Sequence, residues 1–410
     1  MKRKLLFLLT IGLFLLGGCG NRSEKDIIND LTKKINASKS YYIEGTLEIV
    51  NNEDVYTYDV NVSYSAKNNY KVDLVNKVNN HEQIILRNSD GVYVITPKIN
   101  KSFKFQSDWP YNNSQVYLLG PLLEDITNDE KREFTKVDDG YKLVVAANYP
   151  NNSKLVKQEI LLDKNANIKK VTVLDKDNNP AITMKFDKID LKSKFKDSYF
   201  DLKEIIDTRE DSNNTTNNDN TNTNDNTNTN NNANTNTNNN ANTNVNENTN
   251  TNENSNDVNN PDKDSTTNNN VNNNTNNNTN SNENNNSTET KETKETSSIE
   301  DVIYPMYIPS NTYLSNKEKV SKDGGERLIL TFDGDNPFML IEETVSYEKE
   351  HLIVPTYGEL ELMASTIAIV NDNSVNWIDN NIEYYVVSDK LSKSELLDIA
   401  RSVSVLPVSK

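Results

Sequence analysis

Residues 56–64 read Tyr-Thr-Tyr-Asp-Val-Asn-Val-Ser-Tyr, with an apolar or aromatic side chain at every second position. Alternation with a period of two is typical of a β-strand that buries one face and leaves the other in solvent. Outward from this stretch, the same pattern or a short apolar run recurs at residues 70–74, 84–86, 92–95, 141–145, 156–162, 168–174 and 181–189. The repetition predicts one long antiparallel meander.

Two dipeptides punctuate this meander. Asp90-Gly91 separates the apolar run at 84–86 from the run at 92–95, and Asp139-Gly140 precedes the run at 141–145. Asp-Gly is favoured in tight hairpin turns because both residues tolerate a positive φ. We therefore expect the strands on either side of each dipeptide to pair with each other.

Two helices are predicted beside the sheet. The first follows Ser23, a good N-cap, and carries four apolar residues at helical spacing between Ile27 and Ile35. The second covers Val116–Ile126, and we expect Gly120-Pro121 to break or turn it. The order is therefore a helix, a meander and a short apolar helix inserted midway.

A second folded block is predicted from residue 299 to the C-terminus, with a mixed α/β pattern. Strands are expected at residues 327–332, 338–344, 374–378 and 382–387. Ser392-Lys393-Ser394-Glu395 matches a capping box, and apolar residues follow on one face. A short amphipathic helix should therefore close this block.

Between the two blocks, residues 211–298 consist almost wholly of Asn and Thr with scattered acidic residues and Ser. So little apolar surface cannot offset the entropy of an ordered chain, so we predict disorder. A flexible chain of about 85 residues has a root-mean-square span of roughly 50 Å, which would hold the blocks apart. An amyloid-prone Asn-rich tract is the alternative to a plain spacer.

The N-terminus predicts export. Lys2, Arg3 and Lys4 precede an apolar run that is too short for a spanning helix, and small residues stand directly before Cys19. Leu16-Gly17-Gly18-Cys19 resembles a bacterial lipobox, which implies that Cys19 carries a diacylglyceryl group. We therefore expect a lipoprotein held on the extracytoplasmic face of the cell membrane, with a spore membrane as one setting.

These boundaries divide the chain into five parts. We predict a signal peptide at 1–18, a lipidated N-terminus at 19–22, an antiparallel sheet domain at 23–202, an Asn/Thr-rich disordered linker at 203–298 and a small mixed α/β domain at 299–410. The formal net charge is −17, and no basic stripe is present. Phosphate contacts depend on clustered Lys and Arg, so nucleic acid is excluded as a partner.

Residues that carry chemistry are few. The chain has two histidines, His81 and His351, and neither has a second histidine near it in sequence, so we expect both to be solvated. Asp163–Asn167 begins like a calcium loop, but Ile168 and Leu174 stand where such a loop requires Gly and Glu, so a hairpin turn is expected. The sequence predicts neither an enzyme nor a cofactor or metal site.

The order of helix, meander and inserted helix resembles the LolA/LolB-like lipoprotein superfamily, most of all along Tyr41–Leu47 and the helix before it. The resemblance implies an α+β fold in which a curled antiparallel sheet forms a half-barrel plugged by helices. Within this superfamily the chain is similar to germination lipoproteins of the GerS type. The second block resembles a small extracytoplasmic domain of unknown function found in Gram-positive anti-sigma factors and lipoproteins.

Two functions follow as expectations. The first is a non-catalytic accessory or scaffold for processing of the cell wall, the spore cortex, with an amidase or related envelope protein as partner. The second is a binder or carrier of a lipid or other apolar ligand in the concave face of the half-barrel. Six residues would line that groove: Phe103, Phe105, Trp109, Tyr117, Leu118 and Leu122.

Overall fold

The computed structural model describes residues 22–66, 68–217, 298–322 and 325–403. Cys19 and most of the predicted linker lie outside these residues. The helices are α1 (Glu24–Ala37), α2 (Leu119–Asn128), α3 (Leu202–Asn217) and α4 (Lys393–Ser402). The strands of the first block are β1 (Ser40–Asn51), β2 (Asp54–Ser65), β3 (Asn69–Asn76), β4 (Glu82–Asn88), β5 (Gly91–Thr96), β6 (Lys101–Phe105), β7 (Glu133–Val137), β8 (Gly140–Ala146), β9 (Leu155–Asp163), β10 (Ile168–Asp175) and β11 (Pro180–Asp190).

The second block contributes eight further strands. They are β12 (Thr312–Lys322), β13 (Gly325–Gly334), β14 (Phe338–Thr344), β15 (Leu352–Thr356), β16 (Glu359–Leu362), β17 (Ile367–Val370), β18 (Ser374–Asp379) and β19 (Ile382–Val387). The four strands expected from sequence are present as β13, β14, β18 and β19. The pattern did not predict β12, β15, β16 and β17.

The first sheet has twelve strands in the order β15-β6-β5-β4-β3-β2-β1-β11-β10-β9-β8-β7. Except for β6 and β7, consecutive strands of the first block pair antiparallel, including those that flank Asp90-Gly91 and Asp139-Gly140. β1 lies in the middle because it pairs with both β2 and β11, which joins the two ends of the meander. The predicted α+β class, with a curled antiparallel half-barrel and helices packed on it, is confirmed.

α1 begins where the sequence predicts. Ser23 Oγ accepts the N–H of Asp26, and the Asp26 carboxylate accepts the backbone N–H of Ser23, which completes a capping box. The buried residues of α1 pack with α2 into the same core as one face of the sheet. α2 starts at Leu119 rather than Val116 and is not broken, because a proline in the first turn removes only an N–H that has no helical acceptor.

The opposite face of β4 and β5 is covered by the segment that follows β11. Phe200 and Ile205 pack there against Ile84, Leu86 and Tyr93. Ile205 lies in α3, inside the predicted linker, so the folded part of the first block continues past residue 202. The prediction missed this extension because its apolar residues are few and an Asn-rich tract follows them directly.

The second sheet has seven antiparallel strands in the order β12-β13-β14-β19-β18-β17-β16. α4 covers one face and starts with the predicted capping box, in which Ser392 Oγ accepts the N–H of Glu395. Trp377 stacks on Tyr384 with ring centroids 5.0 Å apart, next to the buried side chains of α4. The block therefore has a core of its own.

The two blocks are packed on each other, whereas the spacer was expected to hold them apart. β15 of the second block pairs in parallel with β6 and so extends the first sheet. Leu360, Ile367 and Ile378 share a buried core with the first block. Docking removes these apolar side chains of the second block from water, which stabilises the contact.

Buried polar contacts fix this docking. Gln83 Oε1 in β4 accepts the N–H of Ile367 at 2.8 Å and the hydroxyl of Thr366 at 3.0 Å. The Tyr58 hydroxyl donates to the carbonyl oxygen of Ala364 at 2.8 Å. Because these groups are buried in the docked state, a group that lost its partner across the interface would lose that hydrogen bond without water to replace it.

A buried carboxyl makes the stability of the second block depend on pH. Burial raises the pKa of Glu342 from its ordinary 4.5 to about 7, although the Ile303 N–H donates to Oε1 at 3.1 Å. A raised folded-state pKa contributes stability below pH 4.5, and this contribution is lost as the pH rises through 7. We expect Glu342→Gln to flatten that decline and to be more stable than the wild type at pH 8 by about 1–3 kcal/mol.

Urea unfolding between pH 4.5 and 8 measures this effect, with the exposed Glu318→Gln as the matched control. Equal pH dependence in wild type and Glu342→Gln would show that Glu342 is not the titrating group.

Candidate functional site

A cleft of about 510 Å³ lies where the two blocks meet. The first block supplies the turns after β1 and β10 and the segment before α2. The second block supplies residues around β16 and one face of α4. Of the 28 lining residues, half are apolar and half carry a polar or charged side chain, so the cleft is amphiphilic. Its volume is within the range of small-molecule sites.

The apolar part of the lining is built from strand residues. Ile49, Ile85 and Ile182 come from the first sheet, and Leu360 and Ile367 come from the second. All five have less than a tenth of their surface exposed, because they also belong to the shared core. The apolar wall is therefore held rigidly by packing.

A buried ion pair forms the polar part of the cleft wall. Arg401 Nη2 in α4 lies 2.6 Å from Glu361 Oε1 in β16. Asn151 Nδ2 approaches Glu359 Oε2 at 3.0 Å and Glu361 Oε2 at 3.5 Å. Burial raises the pKa of Glu361, and the guanidinium of Arg401 partly opposes that rise. The pair thus joins the second block internally, and Asn151 joins it to the first.

Two tyrosines lie near this ion pair. Burial raises the pKa of Tyr117 and of Tyr149, and the nearby Glu361 raises both further. Their hydroxyl groups are therefore protonated at any physiological pH and can donate as well as accept hydrogen bonds. Together with Trp109 they make the first block's side of the cleft aromatic.

The rim of the cleft is polar, and its charges are paired. Lys154 Nζ lies 3.4 Å from Asp398 Oδ1. Asn51 Nδ2 donates to the carbonyl oxygen of Arg401 at 3.1 Å, which ties the β1–β2 turn to α4. Asp175 accepts N–H groups of its own turn from Asp177 and Asn179.

The six residues predicted to line an apolar groove are all buried, with 0 to 7% of their surface exposed. Trp109 and Tyr117 border the cleft. Phe103 and Phe105 lie in β6, Leu118 and Leu122 lie at the start of α2, and all four pack in the core. The structure therefore brings two of the six to the cleft and leaves the other four in the packed interior.

The histidines are not solvated as expected. Burial lowers the pKa of His81 to about 4, with a smaller effect from the charge of Lys98, and His81 Nε2 is buried with no hydrogen-bond partner in the described residues. Nε2 of His351 is hydrogen-bonded to the hydroxyl of Ser102, and burial lowers its pKa. Each histidine lies near the junction of the blocks, where docking removes water, a circumstance that neighbours in sequence could not reveal.

No group of three or more His, Cys, Asp or Glu side chains within the described residues could hold a metal ion. The Asp163 segment is the hairpin turn that the sequence indicates: its carboxylate accepts the N–H groups of Asn165 and Asn167 at 2.9 and 2.8 Å. No helix in the described part of the chain is long and apolar enough to cross a membrane.

Sequence reasoning did not find Glu361, Arg401, Asn151 or Tyr149. Glu361 stands between two leucines in a short run that also fits an exposed strand, and Arg401 reads as an ordinary solvated residue of an amphipathic helix. The signal that joins them is spatial, since 40 residues separate Arg401 from Glu361 and 210 separate Asn151 from Glu361.

The comparisons with known proteins point to sporulation. Residues 1–200 match the family described as sporulation protein YdcC-like. The whole chain is similar to the sporulation protein YdcC of Bacillus subtilis (strain 168), with 27% identity over 405 residues, which is 98% of this chain and 97% of that protein. The predicted likeness to sporulation proteins is therefore confirmed.

Similar solved structures include members of the predicted superfamily. One is the LolA superfamily protein NE2245 from Nitrosomonas europaea, with a TM-score of 0.27, 11% identity and coverage of 45% of this chain and 99% of that one. Another is the CwlD amidase from Clostridioides difficile in complex with the GerS lipoprotein, with a TM-score of 0.20, 16% identity and coverage of 43% and 98%.

Proposed function

We propose that this protein is a lipid-anchored, non-catalytic accessory protein that positions a cell-wall enzyme during formation or germination of the spore. The observation that carries the proposal is its similarity to a sporulation protein over nearly its full length. The lipobox at Cys19 supports the extracytoplasmic face of the membrane as its location. The resemblance to germination lipoproteins supports an amidase, or a related envelope protein, as partner.

Isolation of the lipidated protein from sporulating cells tests the partnership. We expect a cell-wall amidase or related envelope enzyme to co-purify with the wild-type chain. The matched control is a strain with an unrelated lipoprotein carrying the same tag. Recovery of the chain without any enriched envelope enzyme, under mild solubilisation, would contradict the accessory role.

Anchoring has its own prediction. Cys19→Ala removes the thiol that accepts the diacylglyceryl group, and it is the only cysteine of the chain. We expect complete loss of metabolic labelling by a fatty-acid analogue and loss of stable membrane attachment, because two acyl chains supply that attachment. Ser23→Ala, four residues on, is the control and should be labelled normally. Label that persists in Cys19→Ala would disprove the lipoprotein assignment.

The histidines separate an accessory role from catalysis. General acid-base groups typically contribute 10²- to 10⁴-fold to a rate, so loss of an essential histidine gives a large defect. We expect His81→Ala and His351→Ala to germinate like the wild type, while deletion of residues 23–202 abolishes function. A stable, anchored His81→Ala protein with a null phenotype would favour an enzyme.

Binding of an apolar ligand is the second candidate. The observation that favours it is the cleft, which Trp109 and Tyr117 of the predicted groove border. The polar half of the lining argues against a purely apolar occupant.

A further inference from the structure

The cleft offers no unpaired cation to an anionic ligand. Its charged lining residues are two cations and three anions, and both cations are paired: Arg401 with Glu361 at 2.6 Å and Lys154 with Asp398 at 3.4 Å. Asp175 is satisfied within its own turn. A phosphate or carboxylate ligand would need an unpaired cation, so an anion does not fit this cleft, whereas a neutral occupant needs no counter-charge.

The uncharged polar groups of the cleft are mostly amides. Six of its lining residues are Asn or Gln: Asn51, Asn52, Asn113, Gln115, Asn152 and Asn179. An amide offers donors and acceptors side by side, and protonated tyrosine hydroxyls do the same. A ligand whose own groups both donate and accept, such as a sugar hydroxyl or an acetamido group, matches this lining.

An acyl chain matches it less well. Several of these amides already donate within the protein: Asn51 to the Arg401 carbonyl, Gln115 to Asn113 and Asn179 to Asp175. Filling the cleft with hydrocarbon would remove water from their remaining polar atoms and from Tyr149, which costs free energy at each group. The apolar strip of Ile49, Ile182 and Ile367 suits the C–H faces of pyranose rings and the methyl of an acetamido group. Aromatic side chains beside such a strip are suited to the same faces.

We propose that this cleft binds a neutral amino-sugar oligosaccharide of about two sugar units, gripped by both blocks. The volume of about 510 Å³ accommodates a ligand of that size. The choice of an amino-sugar glycan, the kind that forms cell-wall strands, rests on the proposed function. Neutrality, hydroxyl recognition and size rest on the lining alone.

Calorimetric titration of the full mature chain, with its anchor cysteine replaced, tests the proposal. The probes are the dimer and tetramer of β-1,4-linked N-acetylglucosamine, with palmitate as the apolar competitor. We expect saturable binding of the sugars and a change in the emission of Trp109, which borders the cleft. Tyr149→Phe keeps the ring but removes one hydroxyl hydrogen bond and should weaken sugar binding by about 3- to 10-fold.

Tyr347→Phe is the matched control, because Tyr347 is exposed and lies outside the cleft. The Tyr347→Phe protein should bind the sugars with the affinity of the wild type. Ala181→Trp at the cleft wall should abolish binding, with circular dichroism to verify the fold. Absence of sugar binding, sugar binding unaffected by either cleft variant, or binding of palmitate alone would each overturn the proposal. These outcomes concern purified protein, so they are separate from the phenotypic and co-purification results that decide the accessory role.

Discussion

Cleavage of the chain within its Asn/Thr-rich segment is expected to leave the two folded blocks bound to each other. A specific protease site inserted beside Asn250 would cut the covalent connection, while β15 would still pair with β6 and the buried contacts to Gln83 would persist. We expect the two fragments to co-elute on size exclusion at micromolar concentration. Fragments that separate on cutting would show that the spacer, not the interface, keeps the blocks together.

Gln83→Ala gives this experiment its quantitative form. The substitution leaves the Ile367 N–H buried without an acceptor, at a cost of about 1–3 kcal/mol, while the Thr366 hydroxyl keeps the Ile378 carbonyl oxygen as its acceptor at 2.8 Å. Affinity between the cleaved fragments should therefore fall by about 5- to 150-fold. Gln106→Ala is the matched control: it removes a glutamine side chain at an exposed position and should change the affinity between the fragments less than twofold.

Arg401→Met should be the most destabilising of the substitutions considered. It removes the cation beside Glu361, whose side chain is 8% exposed, and leaves a buried carboxylate without its charge partner. Breaking a buried pair in this way costs about 3–5 kcal/mol of unfolding free energy. Arg22→Met breaks the more exposed pair with Asp30 and should cost less than about 1 kcal/mol.

The pH dependence of Arg401→Met identifies the cause. Burial raises the pKa of Glu361 in the folded protein. A carboxyl group with a raised folded-state pKa contributes stability at low pH, and this contribution is lost as the pH rises. The variant should therefore recover stability on acidification from pH 7.5 to 5, as followed by urea unfolding. Adding Glu361→Gln should restore most of the loss at pH 7.5. A deficit that is independent of pH and of Glu361→Gln would point to lost packing of the Arg401 side chain instead.

Local signals in the sequence predicted the local structure well. The capping boxes at Ser23 and Ser392 fixed the starts of α1 and α4, and Asp90-Gly91 and Asp139-Gly140 fixed two hairpins. The start of α2 was missed by three residues because Pro121 is compatible with a first helical turn and so begins the helix instead of interrupting it.

Features that depend on distant partners were not predictable in this way. β15 contains Pro355 and pairs in parallel with a strand some 250 residues away, so neither alternation nor a turn announces it. The pair of Glu361 and Arg401 joins positions 40 residues apart within the second block, and the contact of Asn151 with it exists only once the blocks have docked. The periodicity of a single sequence predicts the strands and helices of each block. It does not predict that the surfaces of the two blocks are complementary.

If the protein is anchored through Cys19, as we propose, the early start of α1 limits how far it can stand from a bilayer. Ser23 caps the helix, and only four peptide units separate it from Cys19. At about 3.3–3.6 Å per residue, the segment from Cys19 to Ser23 has a contour length of roughly 14 Å. The first block of an anchored molecule would therefore stay directly above the lipid headgroups. An enzyme that it positions would act close to the membrane surface.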